Sequence, residues 1–406
     1  MSVSLDDIRA ARESISGGTV YTPLLPAQAL RDRLPCDLYI KMESAQRTGS
    51  FKDRGALFRM QALTPDERKR GVVTASAGNH AQAVAYHGSR LGVPVQVVMP
   101  EHTPLVKVTN TRRHGAEVRF HGATLTDSMV EVNRVVEEEG RILVHAFDDD
   151  RVIAGQGTIG LELLEQLPNL TAVIVPIGGG GLISGIATAI REQRPEVRVY
   201  GVEAAAAASA LESRKAGHIV TAESFDTIAD GIAVKRPGDR TFPVIERLVE
   251  DIATVDEPQI AASVHLLLEH QKVMAEGAAA TPLAAILGGQ LPLKPDDVAV
   301  MILTGGNIDI NVLSRIMDRG LVSDGRLTRL AVTVPDRPGN LARLTRMVAD
   351  EGANVLDLTH RRAFADISVR DVEIVMHLET RGKDHLDAVL ARLAQAGLPA
   401  RREFEE

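Results

Sequence analysis

The sequence predicts an α/β protein built on mostly parallel sheet, with a smaller α+β domain after it. From about residue 37 to 305, short β-branched apolar runs alternate with helical patterns. Those runs are apolar on both faces, so each strand must be covered from two sides, as crossover helices cover a parallel sheet. After Asn311 the texture changes to alternating strands and amphipathic helices, which reads as a separate unit.

The elements follow in order. In "MSVSLDDIRAARESISGG", Ser4 can cap a helix with Asp7 three residues on. Ile8, Ala11 and Ile15 then share a face, and Gly17-Gly18 end the turn. This start lacks the apolar run of a signal peptide, and no stretch is long enough to span a bilayer, so a cytoplasmic protein with no membrane partner is expected. The next strands are "DLYIKME", "GVVTASA", "VPVQVVMP", "AEVRFH", "RILVHAF", "AVIVPI", "VRVYGVE" and "VAVMILT". Between them lie helical stretches such as "NHAQAVAYHGSRLG" and "GLISGIATAIREQRP". The runs Glu137 to Glu139 and Asp148 to Asp150 read as solvated charges.

"MDRGLVSDGRLT" reads as a polar connector. Beyond it come strand, helix, strand, strand, helix, strand. Leu330, Val332 and Val334 alternate, as do Val372, Ile374, Met376 and Leu378. Leu341, Leu344, Met347 and Val348 form one helix stripe; Leu386, Val389, Leu390 and Leu393 form another. A domain of about 75 residues can fold alone but often pairs with a copy of itself.

Composition narrows the function. A chain of 406 residues implies two or three domains, and 44% hydrophobic residues supply their cores. A net charge of −8 and the absence of Trp oppose nucleic-acid binding. The single cysteine, Cys36, offers neither a disulfide nor metal-ligand spacing, so no metal is assigned from it.

Several places could carry chemistry. Lys52 in "RTGSFKDRGALF" sits at a helix start behind Ser50 and Phe51; it is either a solvated charge or a nucleophile. Gly178, Gly179, Gly180 and Gly181 lie between an apolar strand and an apolar helix. Glycines there let a phosphate approach the free N–H groups of the helix start. In "TASAGNHAQAVAYH", Ser76, Gly78, Asn79 and His80 make a second amide-lined turn, suited to a carboxylate, with Asn79 able to meet a phenolic oxygen. "MILTGGNIDI" puts Thr304 at a strand's carboxyl end, where open α/β sheets bind ligands. Pyridoxal phosphate with an amino-acid substrate would require such a set.

With these motifs in view, nearly the whole chain resembles the fold-type II pyridoxal-phosphate enzymes, and within them the threonine ammonia-lyase (threonine dehydratase) family. "SFKDRGA" resembles the family's cofactor-lysine motif, "SAGNHAQ" its substrate-carboxylate loop, "GGGGL" its phosphate loop and "TGGN" its ring-nitrogen site. The resemblance implies two open, mostly parallel twisted sheets flanked by helices over residues 1–317, with the smaller lobe at about 53–155. It implies that Lys52 carries the cofactor and acts as base, with Phe51 packed beside the ring. Asn79 would bond the ring 3′-oxygen, Gly178 to Gly181 and Leu182 the phosphate, and Thr304 the ring nitrogen. The tail "LAVTVPDRPGNLARLTRMVADEGANVLDL" resembles an ACT domain, ferredoxin-like βαββαβ, over 329–406 after a linker at 318–328. Its turn at Gly339, Asn340 and Leu341 would take an amino-acid effector, isoleucine above all.

The implied reaction is deamination of L-threonine to 2-oxobutanoate and ammonia, with L-serine a further substrate, in a homodimer or homotetramer. A lyase preferring serine or 3-hydroxyaspartate stays open, as does a catalytically silent cofactor-binding sensor. So does the choice between isoleucine biosynthesis and threonine breakdown. Two positions depart from related patterns. Ala77 stands where serine racemases carry a second serine, which favours elimination over racemisation. Ser209 replaces the aspartate of the racemase-type divalent site, leaving Glu203 with backbone carbonyls as candidate holders of a monovalent cation.

Overall fold

A computed structural model of the chain describes residues 3–222, 226–362 and 368–403. The outermost ends of the expected domains, Met1 and Glu406, lie outside that range. The chain divides into two compact units, Met1–Asp309 and Ile310–Glu406.

The first unit holds two sheets. The larger runs in the order Leu24–Pro26, Asp37–Met42, Val298–Leu303, Ala172–Pro176, Arg198–Ala204, Asp251–Val255, and every pair is parallel except the first. The smaller runs Glu117–Phe120, Val95–Met99, Val72–Ala75, Ile142–Leu143, all parallel. Every strand read from the sequence is present. Two were not read: Leu24–Pro26 is a short edge strand ending in proline, and Asp251–Val255 is a second edge strand whose first residue is exposed. Edge strands tolerate both features, and both erase the apolar signal.

The N-terminal helix Leu5–Ile15 has the expected capping box between Ser4 and Asp7, and Ile8, Ala11 and Ile15 are buried. It packs on helix Asp150–Gln166, which also lies against helices Lys52–Gln61 and Gly181–Arg191. Missing side chains make these approaches possible. A Cβ on Gly155 would lie 2.7 Å from the Cα of Gly55, and one on Gly185 would lie 2.6 Å from the nitrogen of Gly157. No real Cβ tolerates such distances, so the helix axes are set by backbone contact.

The acidic run Asp148 to Asp150 corrects its reading as solvated charge. Asp149 accepts the N–H groups of Arg151 and Val152 as a helix cap and pairs with Arg59. Asp148 accepts the N–H groups of Asp239 and Arg240, and Asp150 pairs with the Arg240 side chain.

The second unit opens with helix Ile310–Ser323, so the residues read as a connector at 318–328 are helix for half their length. Ile316 is the one buried residue of this helix, and Gly320 weakens its helical signal further. Then come strand Leu327–Pro335, helix Asn340–Asp350, strands Asn354–Arg361 and Asp371–Glu379, helix Lys383–Gln395 and strand Ala400–Arg402. The antiparallel order, Asn354–Arg361, Asp371–Glu379, Leu327–Pro335, Ala400–Arg402, is the ferredoxin-like arrangement. The predicted strand faces are buried, and so are both helix stripes except Leu341, which is 37% exposed, and Leu390, which is partly buried.

Gly185→Ala is expected to push helices Gly181–Arg191 and Asp150–Gln166 apart and to lower stability by about 1–3 kcal/mol, the usual cost of overpacking. Urea unfolding measures it; an unchanged midpoint would mean that the helices separate freely.

Candidate active site

The parallel sheets send their carboxyl ends to one edge, and the predicted residues collect there. Helix Lys52–Gln61 is held from beneath by the two residues after the lysine. Asp53, fully buried, accepts the Thr48 N–H at 2.8 Å, its hydroxyl at 3.0 Å, and contacts His87 Nε2 at 3.0 Å. Arg54, also buried, forks onto Glu43 at 2.7 and 2.8 Å and onto Glu162 at 2.6 and 3.0 Å. Lys41 completes this cluster against Glu162 and the Thr22 carbonyl.

The Lys52 amine donates to the Ala146 carbonyl at 2.7 Å and lies 5.0 Å from the centre of the Phe51 ring. Burial lowers its pKa to about 8, against an opposing pull from the Glu276 charge. The Phe51 N–H donates to the Thr304 carbonyl at 3.0 Å, and Ser50 bridges Gly305, so the lysine segment and the last strand end are stitched together. The hydroxyls of Thr304 and Ser50 are buried with no partner. A buried orphan donor of this kind asks for an acceptor, and a pyridine nitrogen is one.

The glycine loop closes the other end. Gly180 has φ +90°, a left-handed turn suited to glycine, and helix Gly181–Arg191 begins beyond it. The Gly179 carbonyl is drawn to the Thr241 hydroxyl at 2.6 Å and to the Gly238 N–H at 3.2 Å. Because a trans peptide points its C=O and the following N–H in opposite directions, the Gly180 N–H faces away from that anchor. The helix-start amides are free for an anion. Phe147, next to Ala146, packs where side chains on Gly179 and Gly181 would be. Leu182 is buried behind the loop.

Ser76 follows strand Val72–Ala75, and its hydroxyl accepts the Gly78 N–H at 3.2 Å. Helix Asn79–Leu91 begins at the next residue. The His80 ring is buried, bonded to the Val144 carbonyl at 2.9 Å, and burial drops its pKa to about 3. The ring is therefore neutral and turned into the core, and His80 can serve a carboxylate only through its backbone N–H. Asn79 spans the cleft: its Oδ1 accepts from Asn307 at 2.8 Å, and its Nδ2 lies 2.9 Å from both oxygens of Glu276.

Glu276 had no signal in the sequence, because its partner Asn79 lies far away in the chain. Glu203 stands apart from this group. Its carboxylate accepts the N–H groups of Ala210 and Leu211, capping the start of helix Ser209–Ala216, and burial raises its pKa to about 8. Ser209 turns its hydroxyl to the Val234 carbonyl. That geometry is a helix cap, and among the described residues Glu203 belongs to no group of three or more His, Cys, Asp or Glu side chains placed to hold a metal ion. In the second unit, Gly339 has φ +91° and begins helix Asn340–Asp350, while the Asn340 side chain donates to the Pro335 carbonyl.

A family model for pyridoxal-phosphate dependent enzymes matches residues 15–305, and one for the ACT domain matches residues 328–398. An L-threonine ammonia-lyase from Geobacter sulfurreducens is 46% identical over 376 residues, 93% of each chain. One from Thermotoga maritima is 43% identical over 399 residues, 98% of this chain and 99% of its own. The solved structure of processed threonine deaminase isoform 2 from Solanum lycopersicum matches with a TM-score of 0.73 at 37% identity, covering 77% of this chain and 91% of its own.

Thr241→Val removes the hydroxyl that anchors the Gly179 carbonyl. One net hydrogen bond corresponds to about 0.5–1.5 kcal/mol, so cofactor dissociation should strengthen roughly 2- to 12-fold by equilibrium dialysis. Unchanged retention would mean that the loop keeps its shape without Thr241. The orphan Thr304 hydroxyl and the glycine cradle fit pyridoxal phosphate at its two ends, and the chain belongs to the fold-type II pyridoxal-phosphate-dependent enzymes, with a C-terminal ACT domain.

Proposed function

We propose that the protein deaminates L-threonine to 2-oxobutanoate and ammonia, accepts L-serine as well, and is regulated by an amino acid bound to its ACT domain. The observation that carries this reading is the Lys52 amine, lowered to about 8 by burial, lying between a phosphate cradle and an orphan hydroxyl. Two long relatives named L-threonine ammonia-lyase support the choice of substrate.

Pyridoxal phosphate supplies the electron sink that makes the substrate's Cα proton removable. The chain supplies the rest. Lys52 Nζ is the base for that proton, and lowering its pKa increases the unprotonated fraction near neutrality. The amides of Gly178 to Gly181 hold the phosphate, and Phe51 flanks the amine. The backbone N–H groups of Asn79 and His80, with the Ser76 hydroxyl, take the substrate carboxylate, fixing which bond at Cα is exposed to Lys52. Thr304 offers a neutral hydroxyl, not a carboxylate, to the ring nitrogen. A neutral partner of that kind would not favour a protonated ring nitrogen, and this would favour loss of the β-hydroxyl over return of the proton. Ala77 places no acid on the opposite face, which favours elimination over racemisation.

Lys52→Ala is expected to abolish the protein-bound cofactor's visible band and to lower 2-oxo acid release by several orders of magnitude. Near-normal turnover by the variant would remove Lys52 from the reaction. A panel of threonine, serine and 3-hydroxyaspartate decides the preferred substrate. A bound cofactor with no turnover on any of them would favour the sensor reading.

For the second unit, the Gly339 turn offers helix-start amides to an effector's carboxylate. Isoleucine should depress threonine turnover, and a coupling of about 1–3 kcal/mol changes affinity some 5- to 150-fold. Such coupling suits a homodimer or homotetramer of a cytoplasmic enzyme in which paired ACT domains share the effector. Removing residues 310–406 should leave turnover and abolish the response. Calorimetry of the full chain that gives no heat with isoleucine or valine, together with unaltered kinetics after truncation, would reduce the domain to an assembly role.

A further inference from the structure

The Asn79 side chain is committed on both of its ends. Oδ1 takes the Asn307 N–H at 2.8 Å, and Asn307 also donates to the Thr48 carbonyl at 2.8 Å. Nδ2 meets the two Glu276 oxygens at 2.9 Å each. A carboxylate accepts and never donates, so it selects the nitrogen end of the amide. A carboxylate shared evenly between its oxygens takes one N–H and leaves the second free.

Glu276 is built into place. It is 5% exposed, its N–H donates to the Gly305 carbonyl at 3.1 Å, and its own carbonyl begins helix Gly277–Leu287. A Cβ on Gly305 would stand 2.6 Å from Glu276 Oε1. The first glycine after Thr304 therefore makes room for this carboxylate. Asn79 belongs to the smaller lobe and Glu276 to the larger, so the contact crosses the cleft.

We propose that Glu276 is a positioning residue that fixes the Asn79 amide with one N–H turned to the cofactor's phenolic oxygen, across the junction of the two lobes. This rests on Asn79 meeting that oxygen, as the pyridoxal-phosphate reading requires. A neutral side chain at 276 could itself donate to Asn79 Oδ1, so the amide would lose its preferred direction.

The charge is poised to change. Burial raises the Glu276 pKa to about 7; the Asn79 bond, Lys107 and Lys52 lower it, and Asp230 raises it. Lys107 and Asp230 are paired with each other across the same cleft, so their fields largely oppose. As pH falls through about 7 the carboxylate is protonated and can donate as well as accept, so it no longer selects the nitrogen end of the amide. Above that value the orientation is held.

The test is a double-mutant cycle on the cofactor-loaded protein without substrate, using Glu276→Gln, Asn79→Ala and both together. Wild-type protein should show a cofactor absorbance transition near pH 7, and Glu276→Gln should remove it and speed cofactor release at least fivefold. In the Asn79→Ala background the second substitution should add less than twofold to release, because its route is gone. Asn307→Ala, which withdraws the donor to Oδ1, should speed release in the same direction and serves where Glu276→Gln folds poorly. An unaltered pH transition in Glu276→Gln, or equal effects with and without Asn79, overturns the proposal. So does Asn307→Ala with wild-type release when Glu276→Gln cannot be prepared. The readouts need no turnover, so an incorrect substrate assignment leaves them intact, whereas failure of wild-type protein to bind pyridoxal phosphate defeats the underlying reading instead.

Discussion

The structure depends most on one buried charge, the Arg54 guanidinium, which is 1% exposed and clamped between Glu43 and Glu162. Each carboxylate belongs to a different part of the unit: Glu43 follows strand Asp37–Met42, and Glu162 lies on helix Asp150–Gln166. Taking such ions out of water is costly unless every partner is in place, and removing one member of a buried pair costs about 3–5 kcal/mol. The cluster therefore makes the position of helix Lys52–Gln61 nearly all-or-none. Lys52 precedes Arg54 by one helical half-turn, so its amine inherits that rigidity. Asp53 adds a second set of restraints through Thr48 and His87.

Helix Asp150–Gln166 carries no reacting group, yet it sets the scale of the site. Gly155 meets helix Lys52–Gln61 and Gly157 meets helix Gly181–Arg191, with backbone against backbone on each side. The amine and the anion cradle are thus spaced by main-chain thickness, which packing cannot compress. Ala146 and Phe147 then join the same two ends from above, one through its carbonyl and the other through its ring.

Sequence alone exposed what local chemistry demands. Lys52 at a helix start, the glycines at 178–181 and the strand-end Thr304 are each a few adjacent residues whose conformation follows from their type. The strands were legible because parallel sheet needs apolar runs. What escaped was long-range or masked by one residue. Glu276 sits in "MAEGAAA" with nothing nearby to mark it, since its partners are Asn79 and the space above Gly305. Gly320 made a helix look like a connector, and Pro26 hid an edge strand. The turn Ser76 to His80 read as amide-lined, but nothing in the sequence showed that the His80 ring bonds the Val144 carbonyl behind the site. Asp148 to Asp150 looked like bulk charge because the backbone N–H groups that donate to Asp148 and Asp149 leave no pattern in a sequence.

The strand order has a consequence for how the molecule is made. Val298–Leu303 lies between Asp37–Met42 and Ala172–Pro176, so the last strand of this sheet to leave the ribosome occupies an inner position. Until it arrives, Asp37–Met42 lacks its parallel neighbour, and the sheet exists as two unjoined edges. Pairings this distant in the chain are slow to form and leave strand edges open meanwhile. Thr304 and Gly305 follow that strand directly and stitch to Ser50 and Phe51. The edge that gathers Lys52 and Thr304 is therefore completed late in biosynthesis, since its last segment is absent until the first unit is almost fully translated.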